Sequence, residues 1–177
     1  AATPQSVIAY LRGQTQHEDQ DGNTNRLYRD RKHVLGDIVH GAPVYVKKPP
    51  FNYSDTGYTT FAKNNESRPG MVYAAANDGM LHAFNSDTVT EEWAFVPSAV
   101  IPYLYKLADK TDSTNHRFYV DGPITVGDVC FAASCSANDW KTILVGGLGK
   151  GGRAYYALDI STPTSPKLLW EFTDNNL

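Results

Sequence analysis

Two runs of apolar and small residues in the first half of the chain are separated by the tripeptide Asn-Asp-Gly at residues 77–79. The runs Val72–Ala76 and Met80–Phe84 are short and bounded by turn residues, which predicts a pair of antiparallel strands. Glycine supplies a positive φ, and Asn and Asp tolerate turn geometry, so the tripeptide predicts a hairpin turn. The small side chains of Ala74 and Ala76 further predict a crowded position, where a neighbouring backbone comes close.

The same order of features occurs again downstream. Residues 142–159 run from a strand pattern through a glycine-rich turn into a second apolar strand. In both copies a polar turn and then a tryptophan follow, Trp93 in the first and Trp170 in the second. Upstream, residues 36–46 correspond to residues 119–129. Each unit is therefore predicted to be a strand, a long loop, a hairpin and a Trp-bearing strand, which together make up a β-propeller blade.

The N-terminal segment predicts a short helix. Thr3 can cap its first turn, Pro4 suits the first helical position, and Gly13 ends it. Residues 14–35 are polar and of mixed charge, which predicts a connecting loop. The side chains expected to share the buried face of the helix are Val7, Ile8 and Leu11.

Residues 97–110 predict a second helical element. Ser98 is its expected N-cap. Pro102 lies within the segment and indicates a broken or late-starting helix, because proline cannot continue the backbone hydrogen-bond ladder. The apolar residues at helical spacing are Tyr103, Leu104 and Leu107.

The chain is therefore predicted to be mainly β, with four-stranded blades and short helical insertions. Because propellers typically have about four to eight blades, we expect a fragment of a larger propeller. Its sheet edges would be open, so we expect the isolated fragment to associate, to swap strands or to be only marginally stable. Trp93 and Trp170 are expected to pack between blades or sheets, with Trp170 lacking a neighbour on its outer side.

The predicted segments are an N-terminal helix with a lead-in loop (1–35), a first blade (36–97) with a long insertion (47–70), a helical insertion (98–118) and a second blade (119–177).

Composition and charge argue against binding to nucleic acid or to membranes. The 177 residues are 41% hydrophobic and 20% charged with a formal net charge of −3, and basic runs are no longer than pairs such as Lys47-Lys48. We therefore expect no binding to nucleic acid or to an anionic membrane. The sequence has no apolar stretch long enough for a membrane span, and its N-terminus lacks the apolar core of a signal peptide. A secreted parent protein could still have lost its signal.

The two cysteines, Cys130 and Cys135, are separated by four residues. A zinc site would need a second Cys pair or a nearby His pair, and the spacing is not that of a redox Cys-x-x-Cys motif. We interpret the pair as a disulfide across a hairpin tip, with two free thiols as the alternative. A disulfide would indicate a compartment outside the reducing cytosol.

The glycine-rich residues 147–152 satisfy the pattern G-x-G-x-x-G after a predicted strand. A nucleotide-binding fingerprint requires a helix next, but a strand pattern follows here. Lys150 is also not followed by Ser or Thr, so a Walker phosphate loop is excluded. These glycines are interpreted as a hairpin turn.

A polar loop at residues 19–25 alternates oxygen-bearing side chains in the manner of a calcium loop. Thr24 and Asp30 occupy the positions at which an EF-hand carries glycine and a bidentate Glu. A solvated polar loop is therefore the favoured interpretation, and calcium binding there stays open. The candidate ligands are Asp19, Asp21 and Asn23.

Candidate catalytic groups are few. The five histidines form no His-Glu-x-x-His pair, and no Gly-x-Ser-x-Gly motif exists. His82 lies among apolar neighbours on a predicted strand and is expected to be packed or hydrogen-bonded. Asp121, Asp128 and Asp159 sit beside predicted turns, where carboxylates usually accept backbone N–H groups. We predict no catalytic, cofactor-binding or metal-binding residue and no enzymatic activity.

The order of strand, Asn-Asp-Gly, short strand and later Trp is the signature of a quinoprotein-type blade. Six segments, in order, cover nearly all of the chain: YLRG (10–13), YRDRKHVLGDIVHGAPVYV (28–46), VYAAANDGMLHAFN (72–85), WAFVPSAVIP (93–102), HRFYVDGPITVGDV (116–129) and WKTILVGGLGKGGRAYYALDIS (140–161). Together they resemble the C-terminal propeller of the PilC/PilY family of type IV pilus tip proteins.

This resemblance implies a seven-bladed propeller in an exported adhesin at the pilus tip on the bacterial surface, acting in pilus assembly and attachment. The implied partners are minor pilins, pilus assembly components and, through the full-length protein, host-cell or surface receptors. The family's calcium loop would lie beyond Leu177, so the resemblance implies no cofactor in this segment and makes calcium binding possible in the parent protein. The alternative is part of a quinone-cofactor dehydrogenase, which shares the propeller. A third possibility is an outer-membrane assembly scaffold with a similar propeller. Such scaffolds differ from this sequence in lacking the HRFYVDG and GGLGKGG segments.

Overall fold

The computed structural model of the chain describes residues 1–111 and 116–174. It contains two four-stranded antiparallel sheets, in each of which neighbouring strands are consecutive in the sequence. The predicted fold class is confirmed, whereas the predicted segment boundaries stay predictions. The first sheet consists of β1 (Val44–Val46), β2 (Met71–Ala76), β3 (Met80–Asn85) and β4 (Glu91–Phe95), and the second of β5 (Ile124–Cys130), β6 (Trp140–Gly147), β7 (Ala154–Asp159) and β8 (Lys167–Thr173).

The predicted Asn-Asp-Gly hairpin is confirmed. β2 and β3 pair from Met71 opposite Asn85 to Ala76 opposite Met80. Gly79 has a φ of 94°, a region that residues with a Cβ rarely adopt. An ideal Cβ on this glycine would also lie 2.3 Å from Leu104 Cδ2. The turn therefore requires glycine for both its backbone conformation and its space.

The two sheets share one hydrophobic core. Tyr73 of the first sheet and Tyr156 of the second are fully buried in it, and Phe95 packs 5.3 Å from the Tyr156 ring. Trp93 confirms the predicted position between sheets, since its Nε1 donates to the carbonyl of Pro163 in the β7–β8 loop at 2.8 Å. Trp170 is 45% exposed. This partial exposure agrees with the prediction that it lacks a neighbour on its outer side.

Helix α1 (Pro4–Leu11) begins as predicted, with the Thr3 hydroxyl accepting from the backbone N–H of the third helical residue. The predicted buried face is wrong at Ile8, which is 55% exposed. Tyr10 is buried in its place, packed 5.2 Å from the Tyr28 ring and donating to the carbonyl of Leu107 at 3.0 Å. A tyrosine side chain can both pack through its ring and form a hydrogen bond through its hydroxyl. Tyr10 lies on the side of the helix away from Ile8.

The second helical element is a 3₁₀ helix, Ile101–Ala108. The predicted late start at Pro102 is confirmed, because this proline lies in the first turn. Ser98 as the N-cap is wrong: no side chain caps the helix, and the Ser98 N–H instead donates to Glu171 Oε1 at 2.6 Å. Leu104 is buried, but Tyr103 is 55% exposed. With three residues per turn, neighbours in the sequence cannot share one face.

Helix α2 (Tyr58–Asn64) lies in the long insertion at 47–70 and was not predicted. It has no side-chain N-cap and depends on tertiary contacts. The Tyr58 ring packs 4.9 Å from Trp140, and its hydroxyl donates to Asp128 at 2.8 Å. Burial, together with the hydrogen bond to Asp128, raises the pKa of Tyr58. Local propensity carries little signal for so short a helix.

Asp128 itself corrects the sequence interpretation. It lies within β5 rather than beside a turn, is only 6% exposed, and accepts from the hydroxyl of Thr142 at 2.7 Å as well as from Tyr58. The prediction is confirmed at Asp159, which ends β7 and accepts from the N–H of Ser161 at 2.9 Å.

The predicted disulfide between Cys130 and Cys135 is present and spans the connection between β5 and β6. It packs beside an aromatic cluster that includes Tyr58, Phe61 and Trp140.

Among residues 1–111 and 116–174, no helix is long and apolar enough to cross a bilayer.

Replacing Gly79 by Ala tests the hairpin turn. We expect the free energy of unfolding to fall by about 1–2 kcal/mol from the positive φ alone, and further because Leu104 must move. The matched control is Gly127→Ala in β5, where no atom lies within 4 Å of the ideal Cβ. Urea unfolding of both variants measures the difference. Equal stability of the two variants would contradict this account of the turn.

The disulfide gives a second prediction. Alkylation without reductant should add no mass to the intact protein, and reduction should lower the free energy of unfolding by about 2 kcal/mol, as expected for so small a loop. A double variant, Cys130→Ser with Cys135→Ser, should show no response to reductant. Stoichiometric labelling of both cysteines in unreduced protein would disprove the bond.

Candidate functional site

The Asn-Asp-Gly turn is held by a chain segment that precedes β1, residues 36–41, here called the first strap. The N–H of Gly36 donates to Asp78 Oδ2 at 2.8 Å, and the N–H of Asn77 donates to the carbonyl of Asp37 at 3.0 Å. A Cβ on Gly36 would lie 2.2 Å from the backbone nitrogen of Asp78, so only glycine allows this approach. Ala75 of β2 faces the strap, with its carbonyl oxygen 3.5 Å from an ideal Cβ on Gly41. Ala74 and Ala76 are both buried, and the close backbone approach predicted at these two residues stays a prediction.

A second strap, residues 116–122, holds the same turn from the start of the second unit. The N–H of Tyr119 donates to Asn77 Oδ1 at 2.9 Å. Asp121, 1% exposed, accepts from the N–H of His40 at 3.3 Å and lies 2.6 Å from His40 Nδ1. The amide of Asn77 completes the junction, 3.4 Å from Asp121 Oδ1. Asp121 therefore accepts a backbone N–H as predicted, but from the other strap rather than from its own turn.

His82 confirms the prediction of a hydrogen-bonded histidine. Its Nε2 lies 3.0 Å from both carboxylate oxygens of Asp78, and its Nδ1 lies 2.6 Å from Glu91 Oε1. Burial acts to lower the pKa of His82, but the hydrogen bonds and charges of Asp78 and Glu91 outweigh it and raise the pKa. The imidazole therefore joins the turn to β4.

A cavity of about 220 Å³ opens on the outer side of the turn. Asn77 and Asp78 form part of its wall, together with the two straps, the end of α1, the lead-in loop and the 3₁₀ helix. We refer to it as the turn cavity. Its charged and imidazole side chains are Arg29, Arg31, His33, Asp37, Asp78, Lys106, His116 and Arg117.

Some charges of the turn cavity are paired within the chain. Arg31 lies 2.5 Å from the fully buried Glu18 and 3.8 Å above the Tyr10 ring. Burial raises the pKa of Tyr10, with the charge of Arg31 opposing it. His116 Nε2 lies 2.8 Å from Asp37 Oδ2.

Arg29 and Lys106 differ from these groups. In the part of the chain that the structure describes, neither has a carboxylate within 4.0 Å, and Arg29 Nε is buried with no hydrogen-bond partner. The two residues are 77 positions apart in the sequence. They line the same cavity because the lead-in loop packs on the end of the 3₁₀ helix, where the N–H of Arg29 donates to the carbonyl of Ala108 at 3.1 Å. Sequence reasoning assigned the lead-in to a polar loop and missed both. The only local signal was the cluster of basic residues in RDRKH at 29–33.

The candidate calcium loop is occupied by contacts within the chain. Asp19 lies 3.0 Å from Lys110 Nζ, and Asp21 lies 2.7 Å from an Arg26 nitrogen. Asn23 uses its amide N–H groups as donors to the carbonyls of Thr15 and Glu18. Within the described ranges, no group of three or more His, Cys, Asp or Glu residues could hold a metal ion. The expectation that the chain has no metal site stays a prediction.

The glycine-rich residues 147–152 lie between two strands. β6 ends at Gly147, a 3₁₀ turn covers Gly149–Gly151, and β7 begins at Ala154. No helix N-terminus follows these glycines, which confirms their interpretation as a turn between strands.

The chain is similar to a family of bacterial proteins. A sequence profile described as the PilY1 β-propeller domain matches residues 35–176. Over 184 residues the chain is 37% identical to a type IV pilus biogenesis factor PilY1 homologue of Xylella fastidiosa strain Temecula1, covering 100% of the chain and 14% of that protein. Over 175 residues it is 39% identical to the type IV pilus biogenesis factor PilY1 of Pseudomonas aeruginosa strain PAO1, covering 94% of the chain and 14% of that protein.

A solved structure agrees with these relatives. The crystal structure of the Pseudomonas aeruginosa PilY1 C-terminal domain superposes with a TM-score of 0.55 at 36% identity, covering 74% of this chain and 25% of that one. The chain therefore spans about 14% of the length of the curated relatives above and a quarter of this solved domain.

The environment of His82 predicts a pH dependence of stability. Because its pKa is raised from 6.5 in the folded state, the stabilisation from its charged form is fully present below about pH 6.5 and is lost as the pH rises through the folded-state pKa. In urea unfolding, His82→Gln should therefore be less stable than the wild type by more at pH 6 than at pH 9.

Two further outcomes check the origin of this effect. Glu91→Gln removes one of the two carboxylate partners and should reduce the pH-dependent part of the wild-type stability. If His82→Gln is destabilised equally at pH 6 and pH 9, the charged histidine does not contribute to the fold.

Proposed function

The chain belongs to the PilY1 β-propeller domain family, and from this premise we propose that it is a non-catalytic propeller module of a type IV pilus tip-associated adhesin. In this role it acts in pilus biogenesis and in attachment to surfaces or host cells. The observation that carries the proposal is the 39% identity over 94% of the chain to a protein named type IV pilus biogenesis factor PilY1.

The proposed partners are minor pilins and other pilus assembly components, with receptors contacted through the full-length protein. The proposed location is the pilus tip at the bacterial surface. The disulfide between Cys130 and Cys135 supports an exported location, because such bonds persist in oxidising compartments. Blade edges and connecting loops of propellers offer binding surfaces of the size that protein partners need.

A non-catalytic role is supported by how the polar groups beside the turn cavity are used. His82, Asp78 and Asp121 have the residue types of a catalytic site, yet each holds one part of the backbone to another. The cavity, at about 220 Å³, is also smaller than the roughly 300–1,000 Å³ typical of small-molecule sites. The quinone-cofactor alternative has no comparable support from the named relatives.

Deletion of the encoding gene tests the proposal in the bacterium that carries it. We expect surface pili, measured as sheared pilin by immunoblot, to be lost and then restored by the wild-type gene. Cross-linking should recover minor pilins with the restored protein. Normal piliation in the deletion strain would contradict a role in biogenesis, and dye-linked dehydrogenase activity with quinone absorbance in the purified protein would contradict the non-catalytic role.

A further inference from the structure

The turn cavity has an excess of unpaired positive charge. Arg31 is neutralised by Glu18, Asp37 is paired with His116, and Asp78 lies against His82. Arg29 and Lys106 have no carboxylate within 4.0 Å among the described residues. Both line the same cavity. Two cations that share one concave site without a counter-charge favour binding of an anion.

Arg29 is the more informative of the two. Its Nε is buried without an acceptor, and a buried polar group without a hydrogen bond destabilises the folded state. The Arg29 guanidinium also interacts with Tyr10, where its hydrogen bond and charge act to lower the pKa of the phenol against the effect of burial. A guanidinium beside a cavity is suited to a carboxylate, which can accept two parallel hydrogen bonds from it. The Arg29 side chain is only half-buried and lines the cavity. Its terminal guanidinium N–H groups can therefore face a bound anion.

Next to the cavity, the 3₁₀ helix exposes an aromatic surface. Tyr103 and Tyr105 are 55% and 60% exposed. Their ring centroids lie 5.7 Å and 5.9 Å from Lys106 Nζ, which itself lines the cavity. Ile101, on the same helix, is 57% exposed. Exposed tyrosines beside a cation are typical of surfaces that bind other proteins.

The composition of the cavity favours a single carboxylate over a phosphate. Asp37 and Asp78 lie in the same wall as the cations, and their negative charge disfavours a multiply charged anion. A volume of about 220 Å³ accommodates a side chain of a partner with its flanking backbone outside. The aromatic surface beside the opening would then contact apolar neighbours of the acidic residue.

We propose that the turn cavity binds an acidic side chain of a partner protein, with Arg29 and Lys106 as the carboxylate-binding residues and with Tyr103 and Tyr105 contacting the residues that flank it. This proposal rests on the proposed function as a pilus protein that binds other proteins, and it specifies the chemistry of the partner: an exposed Asp or Glu with apolar neighbours.

Two matched peptides test the proposal with the 177-residue chain. The probes are acetyl-Gly-Phe-Asp-Phe-Gly-amide and the same peptide with Asn in place of Asp, titrated at low ionic strength, where charge interactions are least screened. Dissociation constants are read from the NMR amide shifts of residues 104–108 and 116–119. We expect the Asp peptide to bind roughly tenfold or more tightly than the Asn peptide, as the loss of a charge-assisted hydrogen bond predicts.

Variants locate the binding site. Arg29→Gln and Lys106→Gln should each weaken the Asp peptide roughly tenfold and leave the Asn peptide unchanged. The matched controls are Arg153→Gln, at a side chain that is 87% exposed, and Lys167→Gln on β8, which should leave both peptides unchanged. If Arg29→Gln does not fold, Arg29→Lys retains the charge, and the partly exposed Lys106 alone carries the test.

Other outcomes overturn the proposal. Equal binding of the two peptides, no binding of either at millimolar concentration, or the same weakening in the control variants would each rule out a carboxylate site. Inorganic phosphate that displaces the Asp peptide more effectively than acetate would identify a phosphate site instead. None of these results affects piliation in the deletion strain, so failure here is distinguishable from failure of the proposed function.

Discussion

The fold depends on a buried carboxylate, Asp121, that joins three segments distant in the sequence. A buried carboxylate is tolerated only when its oxygens are hydrogen-bonded. The partners of Asp121 are His40 in the first strap and Asn77 in the β2–β3 turn. Asn77 in turn holds both straps through its backbone N–H and its side-chain oxygen. Because each group completes the bonding of the next, removal of any one leaves a buried polar atom without a partner.

This junction determines how the two sheets meet. It holds the start of each unit against the turn of the first sheet, while the hydrophobic core fills the space between the sheets with side chains such as Tyr73 and Tyr156. Trp93 adds a contact from β4 to the β7–β8 loop. Apolar burial supplies most of the stabilisation, whereas the hydrogen bonds of the junction select one arrangement of the units among those that would bury similar area.

The charged side chains near the turn fall into two groups: those paired within the chain and those without a carboxylate partner among the described residues. Asp78 accepts from the N–H of Gly36 and lies against His82, while Asp121 is bonded to His40 in the other strap. On the outer side of the turn, the lead-in loop and the 3₁₀ helix bring Arg29 and Lys106 to the cavity wall, and no carboxylate of the described residues lies within 4.0 Å of either. These cations and the exposed tyrosines beside them are the basis of the proposed carboxylate-binding site.

The sequence by itself determined the features that depend on neighbouring residues. The Asn-Asp-Gly hairpin, the Thr3 cap, the four-strand repeat and the short disulfide loop were all predictable, because turn geometry, capping and loop closure act over a few residues. The tertiary structure alone decided the role of Asp128, the burial of Tyr10 in place of Ile8, the existence of helix α2 and the placement of Arg29 and Lys106 in one cavity wall. Each of these depends on a partner tens of residues away, and the free energy of burying or leaving unpaired a polar group is set by that partner rather than by the local sequence.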